Sequence, residues 1–363
     1  MTDETWDPNS KKRSDIADRD TPLIRNQWYV AALSEEITRT PMRRTILEQD
    51  ILLYRNQEGK PIGLQNRCAH RSFPLHLGAL NGDNIVCGYH GFEYNTEGRC
   101  VHVPALGKPR PTIRIQPYPV VEIGPFVWIW AGDPEAIDHG KLMKQPWFTE
   151  SGWRYVSGYI PIEANYLGMH ENLFDLSHFP FLHTFAKAHV ELAGELTKVE
   201  VLPNRVVSRR TMRNYPTQPA IQRLMEFQHP ITEDALSMCE TPAMHYAEVK
   251  VTDSSDPPRR MARYIAHCMT PETAAKTHYY WAISRDCGLD SQEIDDEIKL
   301  RSNQTFQEDR RALEEIERIA ARDRRPSFRE MIVTSDSGGI QVLRLFARMA
   351  EAEAARTSRL SPE

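Results

Sequence analysis

The sequence predicts an α+β protein with an N-terminal all-β domain and a C-terminal domain in which helices flank an antiparallel sheet. Short apolar runs between residues 28 and 130, separated by turn pairs such as Glu58-Gly59 and Glu97-Gly98, are typical of a small β domain. The later part of the chain has the pattern of a helix, then several strands, then a long helix. That order is expected of an α+β domain.

The predicted organisation has four parts. Residues 1–22 are highly charged and lack an apolar run, which predicts a mobile tail. Residues 23–140 form the first domain, which ends in an apolar strand and a Gly-Asp-Pro turn. Residues 141–350 form the second domain, and residues 351–363 are expected to be a C-terminal tail.

Composition excludes several classes of protein. The 363 residues suffice for two ordinary domains, and 40% hydrophobic with 26% charged residues is the balance of a soluble globular protein. A net charge of -5 gives no sign of nucleic-acid binding. No apolar stretch approaches the roughly 20 residues of a membrane helix, so no membrane association is expected. We therefore expect a cytoplasmic protein.

Two short motifs in the β-rich region pair a cysteine with a histidine. Cys68 and His70 form a C-x-H motif, and Cys87 and His90 form a C-x-x-H motif, with sixteen residues between the motifs. In a Rieske centre, the two cysteines bind one iron of a [2Fe–2S] cluster and the two histidines bind the other. The pattern therefore predicts one such cluster per chain.

A structural zinc site is the alternative interpretation, since two cysteines and two histidines also suit zinc. Zinc fingers usually group like ligands, however, whereas each loop here supplies one ligand of each kind. This mixture favours the Rieske centre. The other cysteines lack the pattern and are expected to be small buried hydrophobic residues; they are Cys100, Cys239, Cys268 and Cys287.

A second group of metal-binding residue types occurs early in the second domain. Asn172, Asp175 and His178 are spaced three residues apart, so we expect them on one side of a buried helix. On a continuous helix, His183 would point about 140° away from His178. Pro180 lies between these histidines and should interrupt the helix, which allows both to reach one metal ion.

Two histidines and one carboxylate form the facial triad that holds Fe(II) in oxygen-activating enzymes. Asp309 is the predicted carboxylate, because it lies on the apolar face of the long helix with Phe306 and Leu313. Glu308 falls well off that face and is expected to be solvated. Asp336, in a turn-like segment, is the alternative ligand.

Both constellations, in this order, resemble the oxygenase subunits of Rieske non-haem iron oxygenases over about residues 23–350. Within that family the chain is most similar to the vanillate and dicamba demethylase group. The shared segments are RNQWYVAA at 25–32, WIWAGDP at 128–134, TPE at 270–272, HYY at 278–280 and ED at 308–309. The resemblance implies a catalytic domain of the helix-grip type.

The resemblance also implies roles for individual residues. Cys68, His70, Cys87 and His90 would hold the cluster, and His178, His183 and Asp309 would hold one mononuclear Fe(II). Asp175 matches the acid that, in the family, links a Rieske histidine of one subunit to an iron-ligand histidine of the next. Here it would join His90 of a neighbour to His178, with Asn172 beside the iron site.

Partners follow from the same resemblance. Family members are usually homotrimers, because the two metal centres within one subunit are too far apart for fast electron transfer. The chain has no G-x-G-x-x-G nucleotide loop, so NAD(P)H is expected to supply electrons only through a separate ferredoxin reductase, with or without a ferredoxin. O2 is the expected co-substrate.

The favoured function is a monooxygenase that hydroxylates a small aromatic compound and removes an alkyl group from oxygen or nitrogen, with release of an aldehyde. A ring-hydroxylating dioxygenase would share every metal ligand. A Rieske electron-transfer protein would need only about the first 110 residues. It would leave His178, His183 and Asp309 unexplained. The substrate pocket is expected on the strands between residues 200 and 285, and the candidate contacts are Phe227, His245, His267 and Trp281.

Overall fold

Three antiparallel sheets make up the N-terminal domain. The computed structural model describes residues 15–106, 109–186, 197–215, 222, 226–227, 230–322 and 330–360. The strands are β1 (Trp28–Leu33), β2 (Met42–Ile46), β3 (Gln49–Arg55), β4 (Pro61–Gln65), β5 (Ala79–Asn81), β6 (Asn84–Val86), β7 (Glu93–Tyr94), β8 (Cys100–His102), β9 (Pro117–Tyr118), β10 (Val120–Ile123) and β11 (Phe126–Trp130). They pair in the orders β1-β11-β10, β2-β3-β4-β9 and β5-β6-β7-β8.

One seven-stranded antiparallel sheet with helices makes up the C-terminal domain. Its strands are β12 (Arg154–Ile162), β13 (Lys198–Leu202), β14 (Arg205–Tyr215), β15 (Ile231–Thr241), β16 (Met244–Thr252), β17 (Arg260–Thr273) and β18 (Lys276–Arg285), in the order β12-β18-β17-β16-β15-β14-β13. The helices are α1 (Tyr166–Phe174), α2 (Phe179–Leu182), α3 (Gln292–Ala320) and α4 (Ser337–Leu360). The predicted α+β fold class is confirmed. Within the described residues, no helix is long and apolar enough to cross a membrane.

The two faces of the large sheet pack against different parts of the molecule. Side chains alternate between the faces along each strand. Met244, Tyr246 and Cys268 form part of a core with Trp28 and Trp128 of the N-terminal domain. The opposite face packs against the helices in a second core, which contains Met269, Tyr279, Trp281, Phe306 and Leu313.

Two of the segments shared with the demethylase group, at residues 270–272 and 278–280, make hydrogen bonds to the N-terminal domain. Thr270 Oγ1 donates to the Val30 carbonyl at 2.7 Å, and Tyr280 Oη donates to the Ala31 carbonyl at 2.8 Å. His278 Nε2 donates to the Thr45 carbonyl at 2.8 Å. These side chains therefore fix the relative position of the two domains.

The expectation of free tails is wrong for the part of each tail that the structure describes. Ala17 is buried, and its N–H donates to the Leu343 carbonyl in α4 at 3.1 Å. Residues 351–360 continue α4, and the Glu353 carboxylate accepts hydrogen bonds from the backbone N–H groups of Arg25 and Asn26. The described part of each predicted tail therefore packs against the rest of the protein. Residues 1–14 and 361–363 lie outside the described residues.

Gly158 in β12 offers a test of how tightly the helix-facing core is packed. A Cβ atom there would lie 2.4 Å from Cζ2 of Trp281, whose ring also contacts Phe306. We expect Gly158→Ala to lower the free energy of unfolding by about 1–3 kcal/mol in urea denaturation. In the control Gly168→Ala, the new Cβ would meet Leu313 at an ordinary 3.4 Å. That helical substitution should be neutral or stabilise by up to about 1 kcal/mol. Equal stability of the two variants would contradict the prediction.

Candidate metal centres

Two loops of matching backbone geometry carry the cysteine and histidine pairs. The Cys68 N–H donates to the Phe73 carbonyl at 2.9 Å, and the Cys87 N–H donates to the Phe92 carbonyl at 2.8 Å. Each loop therefore closes on itself over the same number of residues. The sequence shows two different motifs, but the structure gives them one shared fold.

Each loop turns at the residue four positions after its cysteine. Ser72 and Gly91 donate N–H hydrogen bonds back to the cysteine carbonyls, and both have positive φ angles of 56° and 68°. A Cβ at Gly91 would also lie 2.9 Å from Cγ of Pro104. Glycine therefore suits the second loop for both conformation and space.

The four candidate cluster ligands divide into a buried and an exposed pair. Cys68 and Cys87 are buried, whereas His70 and His90 are exposed, with their ring centroids 4.6 Å apart. The Tyr94 hydroxyl lies 3.2 Å from Cys68 Sγ, within hydrogen-bonding distance. This division fits a cluster with an inner iron held by thiolates and an outer iron held by imidazoles.

The same side chains fit a single zinc ion poorly. Tetrahedral zinc gathers four donors at about 2.0–2.3 Å from one point, which places them within about 4 Å of one another. The donor atoms of the cysteine and histidine pairs are not gathered in this way. Among the described residues, three or more potential donor atoms lie within 4.8 Å of one another at a different place, formed by His178, His183 and Asp309. The arrangement therefore favours a two-iron cluster over zinc.

The segment after α1 places the two histidines of the second site. Helix α1 ends at Phe174, a 3-10 turn spans Leu176–His178, and α2 begins at Phe179 with Pro180 in its first turn. The expected interruption lies earlier than predicted, at Asp175, whereas Pro180 lies in the first turn of α2, between the two histidines. The expectation that Asn172, Asp175 and His178 share one helix is wrong, because Asp175 already has extended backbone angles.

Three potential ligand atoms converge at this site. His178 Nε2 lies 3.2 Å from His183 Nε2, and Asp309 Oδ1 lies 3.5 Å from each of them. Donors about 2.1 Å from one ion and at right angles to each other would be about 3 Å apart. The three atoms therefore have the spacing expected of a facial triad, which would hold Fe(II) and leave positions open for oxygen.

Hydrogen bonds on the far side of each ring fix which nitrogen faces the site. His178 Nδ1 lies 2.7 Å from the Asp175 carbonyl, and His183 Nδ1 lies 3.1 Å from Glu308 Oε2. Both partners accept hydrogen bonds, so each Nδ1 carries the hydrogen and each Nε2 presents a lone pair. Burial lowers the pKa of His183, which favours its neutral form. Two lone pairs and a carboxylate oxygen facing one another fit a bound metal cation.

Glu308 corrects an expectation from the helical wheel. It was expected to be solvated, yet it is buried, and its second oxygen accepts a hydrogen bond of 2.6 Å from Thr184 Oγ1. The segment after α2 packs against α3 through His183 and Thr184, so the buried surface of α3 is wider than one apolar face. An acidic residue beside an apolar stripe is the only sequence signal, and it does not distinguish Glu308 from an exposed acid.

The remaining predicted residues lie at different distances from the site. Asn172 Nδ2 donates to Asp309 Oδ1 at 3.2 Å. The Asp175 carboxylate accepts hydrogen bonds from the Ser177 N–H at 2.9 Å and from Ser335 Oγ at 3.1 Å, so it does not contact the His178 ring. Asp336 accepts from the Val333 N–H and caps a 3-10 turn, which separates it from the converging group.

The predicted substrate contacts lie on the helix-facing side of the sheet. His245, His267 and Trp281 occupy paired positions on β16, β17 and β18. His267 Nδ1 lies 2.6 Å from the Tyr279 hydroxyl, and burial lowers the His267 pKa to about 3. His245 Nδ1 and Trp281 Nε1 are buried without a hydrogen-bond partner among the described residues. Phe227 lies in a separate apolar cluster on the same face.

Comparison with known proteins covers both domains. The family model of the Rieske [2Fe-2S] domain matches residues 27–119, and that of the vanillate O-demethylase oxygenase C-terminal domain matches residues 162–352. The dicamba O-demethylase oxygenase component of Stenotrophomonas maltophilia is 30% identical over 92% of this chain and 99% of that protein. The iron-sulfur subunit of a toluene-4-sulfonate monooxygenase system from Comamonas testosteroni is 30% identical over 91% of this chain and 98% of that protein.

The solved structures agree with the sequence relatives. Dicamba monooxygenase bound to dicamba superposes with a TM-score of 0.83 at 29% identity, covering 92% of this chain and 99% of that one. The predicted [2Fe–2S] cluster, mononuclear iron and use of O2 with electrons from a separate reductase are thereby confirmed. With both family models matched in order along one chain, this protein belongs to the Rieske non-haem iron monooxygenases of the vanillate O-demethylase type and is their oxygenase component.

Proposed function

We propose that this oxygenase removes an alkyl group from the oxygen or nitrogen of a small aromatic substrate, with His178, His183 and Asp309 holding the catalytic iron. The convergence of three ligand atoms within 4.8 Å carries this proposal. Relatives named as vanillate O-demethylase and chloroacetanilide N-alkylformylase support attack at either heteroatom. Ring dihydroxylation is the alternative, since it would use the same ligands.

The reaction has a simple balance. When bound, the iron activates O2, so that one oxygen atom enters an alkyl C–H bond and the other leaves as water, with two electrons and two protons consumed. The hydroxylated alkyl group then breaks its bond to oxygen or nitrogen and leaves as an aldehyde. A phenol or an amine remains. A buried site suits this chemistry because it excludes water from the oxidant.

The protein's own residues would orient the three metal ligands and the substrate. Glu308 and the Asp175 carbonyl hold the histidine rings, and such partners typically change metal affinity 10- to 100-fold. Asn172 Nδ2 donates to Asp309 Oδ1, the oxygen that also faces the histidines. The unpartnered His245 Nδ1 and Trp281 Nε1 would hydrogen bond to polar groups of the substrate. Phe227 would contribute apolar contact farther along the sheet.

We propose a homotrimer closed by contacts between the two metal regions. Tyr89 and Leu77 are exposed beside the Rieske histidines. A second exposed apolar patch consists of residues 331–333, and Phe181 of α2 is exposed as well. Asp175 is connected to the segment that follows this patch by its hydrogen bond to Ser335. Contact between unlike surfaces on successive copies generates a ring when the rotation between copies closes. This arrangement would bring His90 of the partner subunit to Asp175.

The function can be tested by turnover of methoxy- and N-alkyl-arenes with a surrogate reductase. We expect about one aldehyde per O2 consumed, because each cycle removes one alkyl group. Formaldehyde is measured by derivatisation, and the demethylated product by mass. Formation of cis-diols without aldehyde would establish ring dihydroxylation instead.

Metal analysis tests the proposed ligands. We expect three irons per wild-type chain, and Asp309→Ala should retain the two cluster irons and lose the third, because one of three ligands is removed. Glu308→Gln should retain the third iron but bind it about 10- to 100-fold more weakly, since it loses only the charged partner of His183. Rieske absorption serves as the internal control. Full mononuclear iron in Asp309→Ala would contradict the assignment of Asp309 as an iron ligand.

Asp175→Asn tests coupling between the metal centres. The substitution keeps the side-chain shape and removes the charge, so the trimer and both metals should persist. The partner reductase should still reduce the cluster. We expect electron transfer to the mononuclear iron to slow by orders of magnitude, so that single-turnover product falls far below one per site. Normal transfer in an intact trimer would make Asp175 only the cap that it forms for Ser177.

A further inference from the structure

A row of arginines crosses the helix-facing side of the large sheet, away from the metal site. Arg154, Arg285 and Arg263 occupy directly paired positions on β12, β18 and β17. The row continues through Val249 and Ala235 to Arg210 on β14. Paired positions project to the same face. Four guanidinium groups therefore share this face, with two small or medium apolar residues between them.

Two of these arginines make direct hydrogen bonds to one carboxylate from α3. Asp295 Oδ2 accepts a hydrogen bond from Arg154 Nε at 2.6 Å, and Asp295 Oδ1 accepts one from Arg285 Nη2 at 2.5 Å. The carboxylate shows that this row of the sheet faces α3. Arg285 is fully buried, so the pair ties the helix to the sheet.

The other two arginines are incompletely paired. Arg263 Nη2 lies 3.9 Å from Glu233 Oε2. Burial raises the pKa of Glu233, and the charges of Arg263 and Arg210 only partly oppose that effect. The Nε atoms of Arg210 and Arg263 are buried without a hydrogen-bond partner among the described residues. A buried charged donor without a partner is costly. Two guanidinium groups thus share one carboxylate and keep unused donors.

These donors lie on the same face as the proposed substrate contacts. Arg263 is four residues from His267 along β17, about 13 Å at the rise of a strand. Ile265 lies between them and packs against both apolar cores, and Phe227 and Val249 line the same side. The face therefore changes from neutral donors near the iron, through an apolar stretch, to positive charge.

We propose that Arg210 and Arg263 form an oxyanion subsite, which selects aromatic substrates carrying a carboxylate or sulfonate remote from the alkyl group that is oxidised. The identity of the bound molecule as substrate rests on the proposed function. Arginine donors match the two oxygens of a carboxylate or sulfonate in a bidentate geometry. The apolar stretch between the ends fits an aromatic ring.

Binding to the oxidised holoenzyme, without turnover, tests the subsite. The probes are 4-methoxybenzoate, 4-methoxycinnamate and 6-methoxy-2-naphthoate, each with its neutral amide, and 4-methoxybenzenesulfonate, measured by calorimetry. At least one anion should bind the wild type more tightly than its amide. Arg210→Gln and Arg263→Gln should each weaken the binding of that anion about 10- to 100-fold and change the affinity for its amide less than about twofold. The sulfonate distinguishes a general oxyanion site from one specific for carboxylates.

Two further variants are expected to behave differently from the arginine substitutions. Glu233→Gln should strengthen anion binding, because it removes the competing carboxylate. Arg209→Gln serves as the matched control, since Arg209 is exposed and adjacent in sequence but on the other face. Equal loss of acid and amide binding, or no anion preference in the wild type, would overturn the proposal and leave the arginines as partners of Glu233. Aldehyde assays on the same samples report separately on the proposed function.

Discussion

Three hydrogen-bond acceptors held 3.2–3.5 Å apart would repel one another, and the rest of the catalytic domain is arranged to keep them there. His178 and His183 have no freedom to turn their N–H groups inward, because those hydrogens are already bound to the Asp175 carbonyl and Glu308. Asp309 is similarly held by Asn172. The apoprotein therefore carries an unfavourable cluster that a cation relieves. Relief of this repulsion contributes to the free energy of metal binding.

This constraint explains why the segment between residues 174 and 184 cannot be one helix. A continuous helix would direct the two Nε2 atoms apart, so the chain leaves α1 at Asp175, makes one 3-10 turn and restarts at Phe179. The Asp175 carbonyl is released from helical hydrogen bonding by this break and becomes the acceptor for His178. The same break turns the Asp175 side chain towards Ser335 and the exposed apolar patch. One backbone irregularity thus serves both the iron site and the proposed subunit contact.

The sequence was sufficient for features that depend on local spacing. Mixed cysteine–histidine motifs predicted the cluster, because each motif acts over a few residues. Pro180 predicted an interrupted helix in this segment, although the interruption itself lies at Asp175. Burial of Glu308 could not be predicted, since it depends on the segment after α2, with His183 and Thr184, packing against α3. Nor could the docking of Ala17 on α4, where an alanine in a charged segment gives little hydrophobic signal. Pairings between strands far apart in sequence, such as the arginine row, also require the three-dimensional register.

The large sheet connects these features because one face contacts the Rieske domain and the other face contacts the helices. Its outer face binds the Rieske domain through apolar packing and through Thr270 and Tyr280, whose hydroxyls reach the backbone of β1. Its inner face presents His267 and Trp281 towards α3, and the strands are long enough to place arginines several residues farther along. Strand alternation keeps the two sets separate, so the inner face can change in polarity without disturbing the domain interface. Residues of the inner face can therefore change while the contacts that fix the relative position of the two domains stay the same.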